Sequence, residues 1–161
     1  MRTMTMNNLN QRRHLRARDI PYFIQLHLES VTENDSVPHP WKKGHRIYSV
    51  EGKPRPMLVI QEMPRKRGKN RYMVYSLTSK KPESGNKDVI RIGNCIDPEK
   101  TSFIATEPQV LPENMISRDG EKNSAIRSIG RMEFNNIMSI LSRTALTTAA
   151  NTPKASPSMK E

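Results

Sequence analysis

The sequence predicts a mostly β fold, a small antiparallel barrel or sandwich carrying one C-terminal helix, and three observations lead there. First, from Gly44 onward the chain breaks into short β-rich pieces, residues 45–50, 56–62, 71–77, 88–92 and 102–106, with turn or breaker residues between them. Second, Phe134, Ile137, Met138 and Leu141 stand at i, i+3, i+4 and i+7, the stripe of a helix that docks on a sheet, behind a Gly130 that interrupts the preceding segment. Third, 161 residues and 18.5 kDa allow one core of ordinary size plus tails. A hydrophobic fraction of 34%, 12 prolines and a mean hydropathy of −0.75 place those tails and loops toward the polar end of globular chains.

Taken in order, residues 1–18 hold five Arg and no acid and lack periodicity, so they are expected to be a basic flexible arm. Residues 19–43 form an N-terminal extension. Within it Asp19 can cap a helix with Pro21 in the first turn, and helix is the favoured expectation, although Phe23, Leu26 and Leu28 also fit a short strand. Residues 32–41 then read as a Pro-punctuated linker. The barrel domain covers 44–146. Its run Pro56 to Ile60 is continuously apolar, the mark of a central strand buried on both faces. From Arg71 to Leu77 the pattern alternates, with Tyr72, Val74 and Ser76 on one face and Met73, Tyr75 and Leu77 on the other. Cys95 follows Ile90, Ile92 and Gly93 and is expected as a small buried residue. Residues 147–161 read as a disordered tail.

Charge narrows the function classes. Lys and Arg number 27 against 16 Asp and Glu, a net +11 with a pI near 10.1, so a polyanion is the expected partner: nucleic acid first, an acidic protein second. The excess is local, since residues 42–81 hold 12 bases and two acids. No apolar run approaches a membrane span of about 20 residues, and Met1 to Asn10 is polar, so a cytoplasmic protein with no membrane partner is expected. One cysteine and four scattered histidines argue against an internal disulfide and against a zinc site, and no cofactor is expected.

Three pieces of the basic stretch carry chemistry. Pro54 and Pro56 hold Arg55 extended just before the buried run, a rigid base for a guanidinium whose fork matches phosphate oxygens. Thr78 and Ser79 end the alternating strand with two hydroxyls, and Lys80 and Lys81 follow to neutralise neighbouring phosphates. Between them Arg65, Lys66, Arg67, Lys69 and Arg71 crowd around Gly68 on a predicted hairpin tip, a counterion-release surface for a nucleic-acid backbone. Each has an ordinary alternative, a rim arginine, a turn-forming Thr-Ser pair and a solvated loop.

Gly44, Ile47, Tyr48 and Val50, then Lys53 to Gln61 with its Arg-Pro-x-Leu-Val-Ile-Gln string, then Leu77-Thr78-Ser79, and Ile129 to Met132 ahead of the last helix together resemble the MazF/PemK toxins of bacterial toxin–antitoxin modules. The resemblance spans roughly residues 44–143. It implies a partly open barrel of the Src-homology type, a homodimer, and a metal-independent endoribonuclease that cuts single-stranded RNA and is restrained by an acidic antitoxin. Arg55 matches the family's catalytic Arg and Thr78 its catalytic Thr, with Ser79 beside it; Lys53, the hairpin bases and Lys80 and Lys81 would contact RNA. The implied reaction is attack of the 2′-hydroxyl on the adjacent phosphorus, leaving a 2′,3′-cyclic phosphate. Two departures stand out. The loop between the expected first two strands, residues 51–54, is very short, and Thr106 and Glu107 occupy the segment where some members carry an Arg and an Asp. Glu107 is the candidate base, with His45 a second proton carrier. The alternative function is a non-catalytic RNA-binding or protein-interaction module on the same barrel.

Overall fold

A computed structural model describes residues 2–5, 15–38, 44–118, 122–123 and 125–151, with the side chains of 2–5, 35–38, 95–96 and 147–151 outside the description. Its strands are β1 (Arg2–Thr5), β2 (Asp19–Ile20), β3 (Tyr22–Pro38), β4 (Arg46–Lys66), β5 (Lys69–Thr78), β6 (Val89–Asp97), β7 (Lys100–Ala105), β8 (Gln109–Pro112) and β9 (Ala125–Ser128). A 3-10 turn, Glu113–Met115, follows β8, and one helix, α1 (Arg131–Asn151), ends the described chain. The fold is mostly β with a C-terminal helix, as the strand spacing predicts. A six-stranded antiparallel sheet runs β3-β4-β5-β7-β6 with β8 also on β5, and a three-stranded sheet runs β1-β9-β2. No closed barrel forms among the described residues.

The central strands are buried on both faces because the sequence is apolar on both. Met57, Leu58 and Val59 are all at 0% exposure. Met57 and Val59 join Phe23, Tyr72, Val74, Leu15 and Ile126 on one face. Leu58 joins Leu77, Ile92, Ile104, Ile20 and Ile129 on the other, where Ile137 and Leu141 of α1 cover it and Phe134 and Met138 pack alongside. The predicted helical stripe thus docks as expected. Each such side chain removed from water contributes about 1.5–3 kcal/mol.

Several expectations are corrected. Asp19–Val31 is not helical. Pro21 precedes a strand, and β3 pairs antiparallel with β4 from Tyr22 opposite Pro56 to Pro38 opposite Arg46. Phe23 then enters the core while Leu26, Leu28 and Val31 stay exposed, so the strand that Phe23, Leu26 and Leu28 fitted forms in place of the helix suggested by Asp19 and Pro21. The expected linker 32–41 is β strand up to Pro38, and residues 39–43 lie outside the described residues. Residues 51–54 are not a loop either, because the pieces at 45–50 and 56–62 are halves of the single strand β4. Its first half pairs with β3 and its second, from Met57, with β5, so the ladder toward β5 asks no N–H of Pro54 or Pro56.

The arm is also partly built in. β1 pairs with β9, and Leu15 is buried with its N–H donated to the Tyr72 hydroxyl at 3.1 Å; residues 6–14 lie outside the described residues. Arg18 N–H to Val59 O at 2.8 Å and Met57 N–H to Pro21 O at 2.9 Å lay the 18–21 segment along β4 and join the two sheets. The buried Asn123 clips the start of β3, accepting from Tyr22 N–H at 2.9 Å and donating to Tyr22 O and Ser117 O. Helix α1 runs to Asn151, so the start of the predicted tail 147–161 is helical, and 152–161 lie outside the described residues, as does the side chain of Cys95. Among the described residues no helix is long and apolar enough to cross a membrane.

Candidate functional site

Strand register gathers the two residues expected to do chemistry. Phe23 of β3 stands opposite Arg55 of β4. Met57 stands opposite Ser76, and that register carried two residues further sets Arg55 level with Thr78. Thr78 in turn stands opposite Phe103 of β7, and Phe103 opposite Arg91 of β6. Phe23, Arg55, Thr78, Phe103 and Arg91 therefore lie in one row across five strands, on the face that also carries Met57 and Val74. Arg55 is half-buried, and its Nε is enclosed with no hydrogen-bond partner among the described residues. A buried donor without an acceptor costs about 1–3 kcal/mol, so this donor does not help to hold the fold. Nearby, Ser76 Oγ lies 3.5 Å from Gln25 Oε1, a reach from β3 to β5 over the same face.

Two cavities open where β5 ends and β7 begins. One, of about 210 Å³, is lined on its polar side by Tyr22, Thr78, Ser79, Asp97, Lys100, Ser102 and Arg127. The other is a broad cleft of about 680 Å³ formed by Ser79, Lys81, Arg91, Lys100, Thr101 and Phe103. Ser79 and Lys100 belong to both, so the cavities meet at the strand ends. Four cations against the single carboxylate of Asp97 make this rim attractive to a polyanion. Thr78 Oγ1 accepts the Lys80 N–H at 3.1 Å, which orients the hydroxyl and leaves its proton for another acceptor.

The structure sorts the remaining candidates. Lys53 lies on β4 two residues from Arg55, opposite Gln25, and Lys80 and Lys81 follow Thr78 directly. Glu107 sits exposed on the turn after β7 and lines neither cavity; the carboxylate beside Thr78 is Asp97, whose Oδ1 accepts the Glu99 N–H at 2.9 Å. His45 precedes β4, ten strand residues from Arg55, up to roughly 30 Å at the rise of an extended chain. The basic hairpin is also remote. Arg67 and Gly68 form its tip, with Arg65, Lys66, Lys69 and Arg71 on its flanks, and Lys69 begins β5 while Thr78 ends it, about 30 Å away. Arg65 and Arg71 donate to carbonyls of the hairpin itself, Gly68 O and Pro64 O.

Sequence reasoning missed Arg91, Asp97, Lys100, Phe103 and Arg127. A signal for two of them was legible: Ile90 and Ile92 face the core, so Arg91 must face away, and Ser102 and Ile104 do the same for Phe103. Lys100 and Arg127 reach the site only through pairing distant in sequence. Among the described residues no group of three or more His, Cys, Asp and Glu is close enough to hold a metal ion.

No protein-family model matches this chain, and no curated protein does. What the site can do follows from its groups: a fixed guanidinium, a primed threonine hydroxyl and a cationic rim together suit binding a phosphodiester and stabilising charge that develops on it.

Proposed function

We propose that the chain is an endoribonuclease that cuts single-stranded RNA without a metal ion, the activity its resemblance to the MazF/PemK toxins implies. The observation that carries this reading is the register that, carried on from Met57 opposite Ser76, sets Arg55 level with Thr78, a residue lining the smaller of two adjoining cation-lined cavities, although Arg55 itself lines neither. In the step envisaged, the 2′-oxygen bonds to the adjacent phosphorus as the bond from phosphorus to the 5′-oxygen breaks. The 2′-hydroxyl proton passes to the Asp97 carboxylate, and the departing 5′-oxygen takes a proton from water. Arg55 stabilises the added charge on the phosphoryl oxygens, and Thr78 and Ser79 hold the phosphate in line. Asp97 thereby takes the part that sequence reasoning assigned to Glu107. A homodimer, an acidic antitoxin and a cytoplasmic location belong to the same reading.

The test is incubation of mixed single-stranded RNA with the protein in EDTA. Cleavage to 2′,3′-cyclic phosphate ends is expected, slowed about 100- to 1,000-fold in Arg55→Ala and Thr78→Ala. Asp97→Asn should lose about 100-fold and Glu107→Gln nothing. Intact RNA with a salt-sensitive mobility shift would instead establish the non-catalytic RNA-binding module.

A further inference from the structure

Phe103 is an aromatic side chain that the two hydrophobic cores do not use. Strand β7 alternates, turning Ser102 and Ile104 inward while Thr101 and Phe103 face the broad cleft. Phe103 belongs to neither core cluster and is only half-buried. It stands directly between Thr78 on one neighbouring strand and Arg91 on the other, and Lys81, Lys100, Ser79 and Thr101 complete the wall around it. A ring laid open in a cleft rimmed by three cations and two hydroxyls fits a ligand that is flat and apolar at one point and anionic beside it. Nucleobases joined to phosphates have that character, and every base offers a π-face. Cross-strand neighbours stand about 5 Å apart, the scale that separates a base from its own phosphate.

We infer that Phe103 is the platform on which one unpaired base of a single-stranded nucleic acid stacks while its phosphate lies at Thr78, and that Arg91 grips the next phosphate across the cleft. This rests on the reading of the ligand as RNA. It adds to that reading a subsite that tolerates any base and admits only one outside a duplex, because within a duplex stacked neighbours cover both faces of each base. The volume of about 680 Å³ suits one such nucleotide with its flanking phosphate.

Two ligands and three variants test it by equilibrium binding. The ligands are a single-stranded RNA octamer and an octamer of the same phosphate count whose bases are replaced by tetrahydrofuran linkers. Phe103→Leu should weaken the RNA octamer about tenfold and leave the abasic one unchanged, and Phe103→Trp should retain RNA binding with its indole fluorescence quenched by the RNA. Arg91→Gln, at an exposed position, should weaken both ligands and reduce the salt slope by about 0.7, the share of one single-strand phosphate. Equal losses on both ligands in Phe103→Leu, or no loss, overturn the platform while RNA binding by the unaltered protein stands. An unchanged salt slope in Arg91→Gln overturns the grip. Failure of the unaltered protein to bind the RNA octamer at all overturns the RNA reading and this inference together.

Discussion

Tyr72 packs edge-on against Phe23, ring centroids 6.3 Å apart at 62°, and its hydroxyl accepts the Leu15 N–H. Burial pushes its phenol above the ordinary value of 10.0, Glu62 and Glu113 add to the rise, and the bonds to Leu15 and Asn70 oppose it. A raised folded-state value means that this group's contribution is fully present below pH 10 and is lost as pH climbs from there through the folded pKa. Urea unfolding should therefore show stability falling above pH 10, and Tyr72→Phe should flatten that fall. At neutral pH the same variant should cost about 1–3 kcal/mol, since the Leu15 N–H is left buried without an acceptor. Arg55 poses the opposite case: its Nε is buried and finds no hydrogen-bond partner among the described residues. Proline-flanked Arg55 and strand-terminal Thr78 could be picked out from neighbouring residues alone. Asp97 could not, because nothing near it in sequence shows that β6 ends beside β5.

At the level of elements, the hairpin joining β4 to β5 turns on Arg67 and Gly68, both with positive φ, 52° and 74°. Paired residues Lys66 and Lys69 flank this two-residue turn, whose twist matches the strands. Gly68→Val should cost about 1–2 kcal/mol in urea unfolding, since a β-branched residue resists the left-handed region. Ile137→Ala, which empties the centre of the helix stripe, should cost about 2–5 kcal/mol by the same measurement. Sequence periodicity identified that stripe and the doubly buried strand because both signals are local. It favoured a helix for β3 because Asp19 and Pro21 imitate a helix start, although Phe23, Leu26 and Leu28 also fitted the strand that forms. It divided β4 in two because paired prolines punctuate most chains, whereas here they fall where the strand changes partners.

Among the described residues the hairpin bases and the bases at the Thr78 rim form separate surfaces. The contiguous run of charge at 42–81 suggested one groove, yet β5 carries the hairpin bases to the end away from Thr78, about 30 Å off. At the rim by Thr78 that run leaves Lys81, which Arg91, Lys100 and Arg127 from later strands join. The hairpin should therefore serve affinity rather than chemistry. Replacing Lys66, Arg67 and Lys69 with Gln should weaken binding to a long single-stranded RNA and reduce the salt slope by about 0.7 for each phosphate no longer neutralised. The single-turnover cleavage rate at saturating protein should stay within about twofold, a comparison made by quench-flow beside the binding titration.

Local pattern was enough to determine a mostly β chain, its doubly buried strand, its docking helix and its net positive charge, and to single out Arg55 and Thr78 as the residues worth testing. These depend on side-chain chemistry and on periods of two and 3.6 residues, which are written into consecutive positions. Tertiary structure alone decided that residues 19–38 belong to the sheets, that Glu107 and His45 lie apart from the site, and that Asp97, Phe103 and Arg91 belong to it. Strand pairing joins residues tens of positions apart through backbone hydrogen bonds that are blind to side-chain identity, so the register that assembles the row from Arg55 to Arg91 leaves no local trace in the chain.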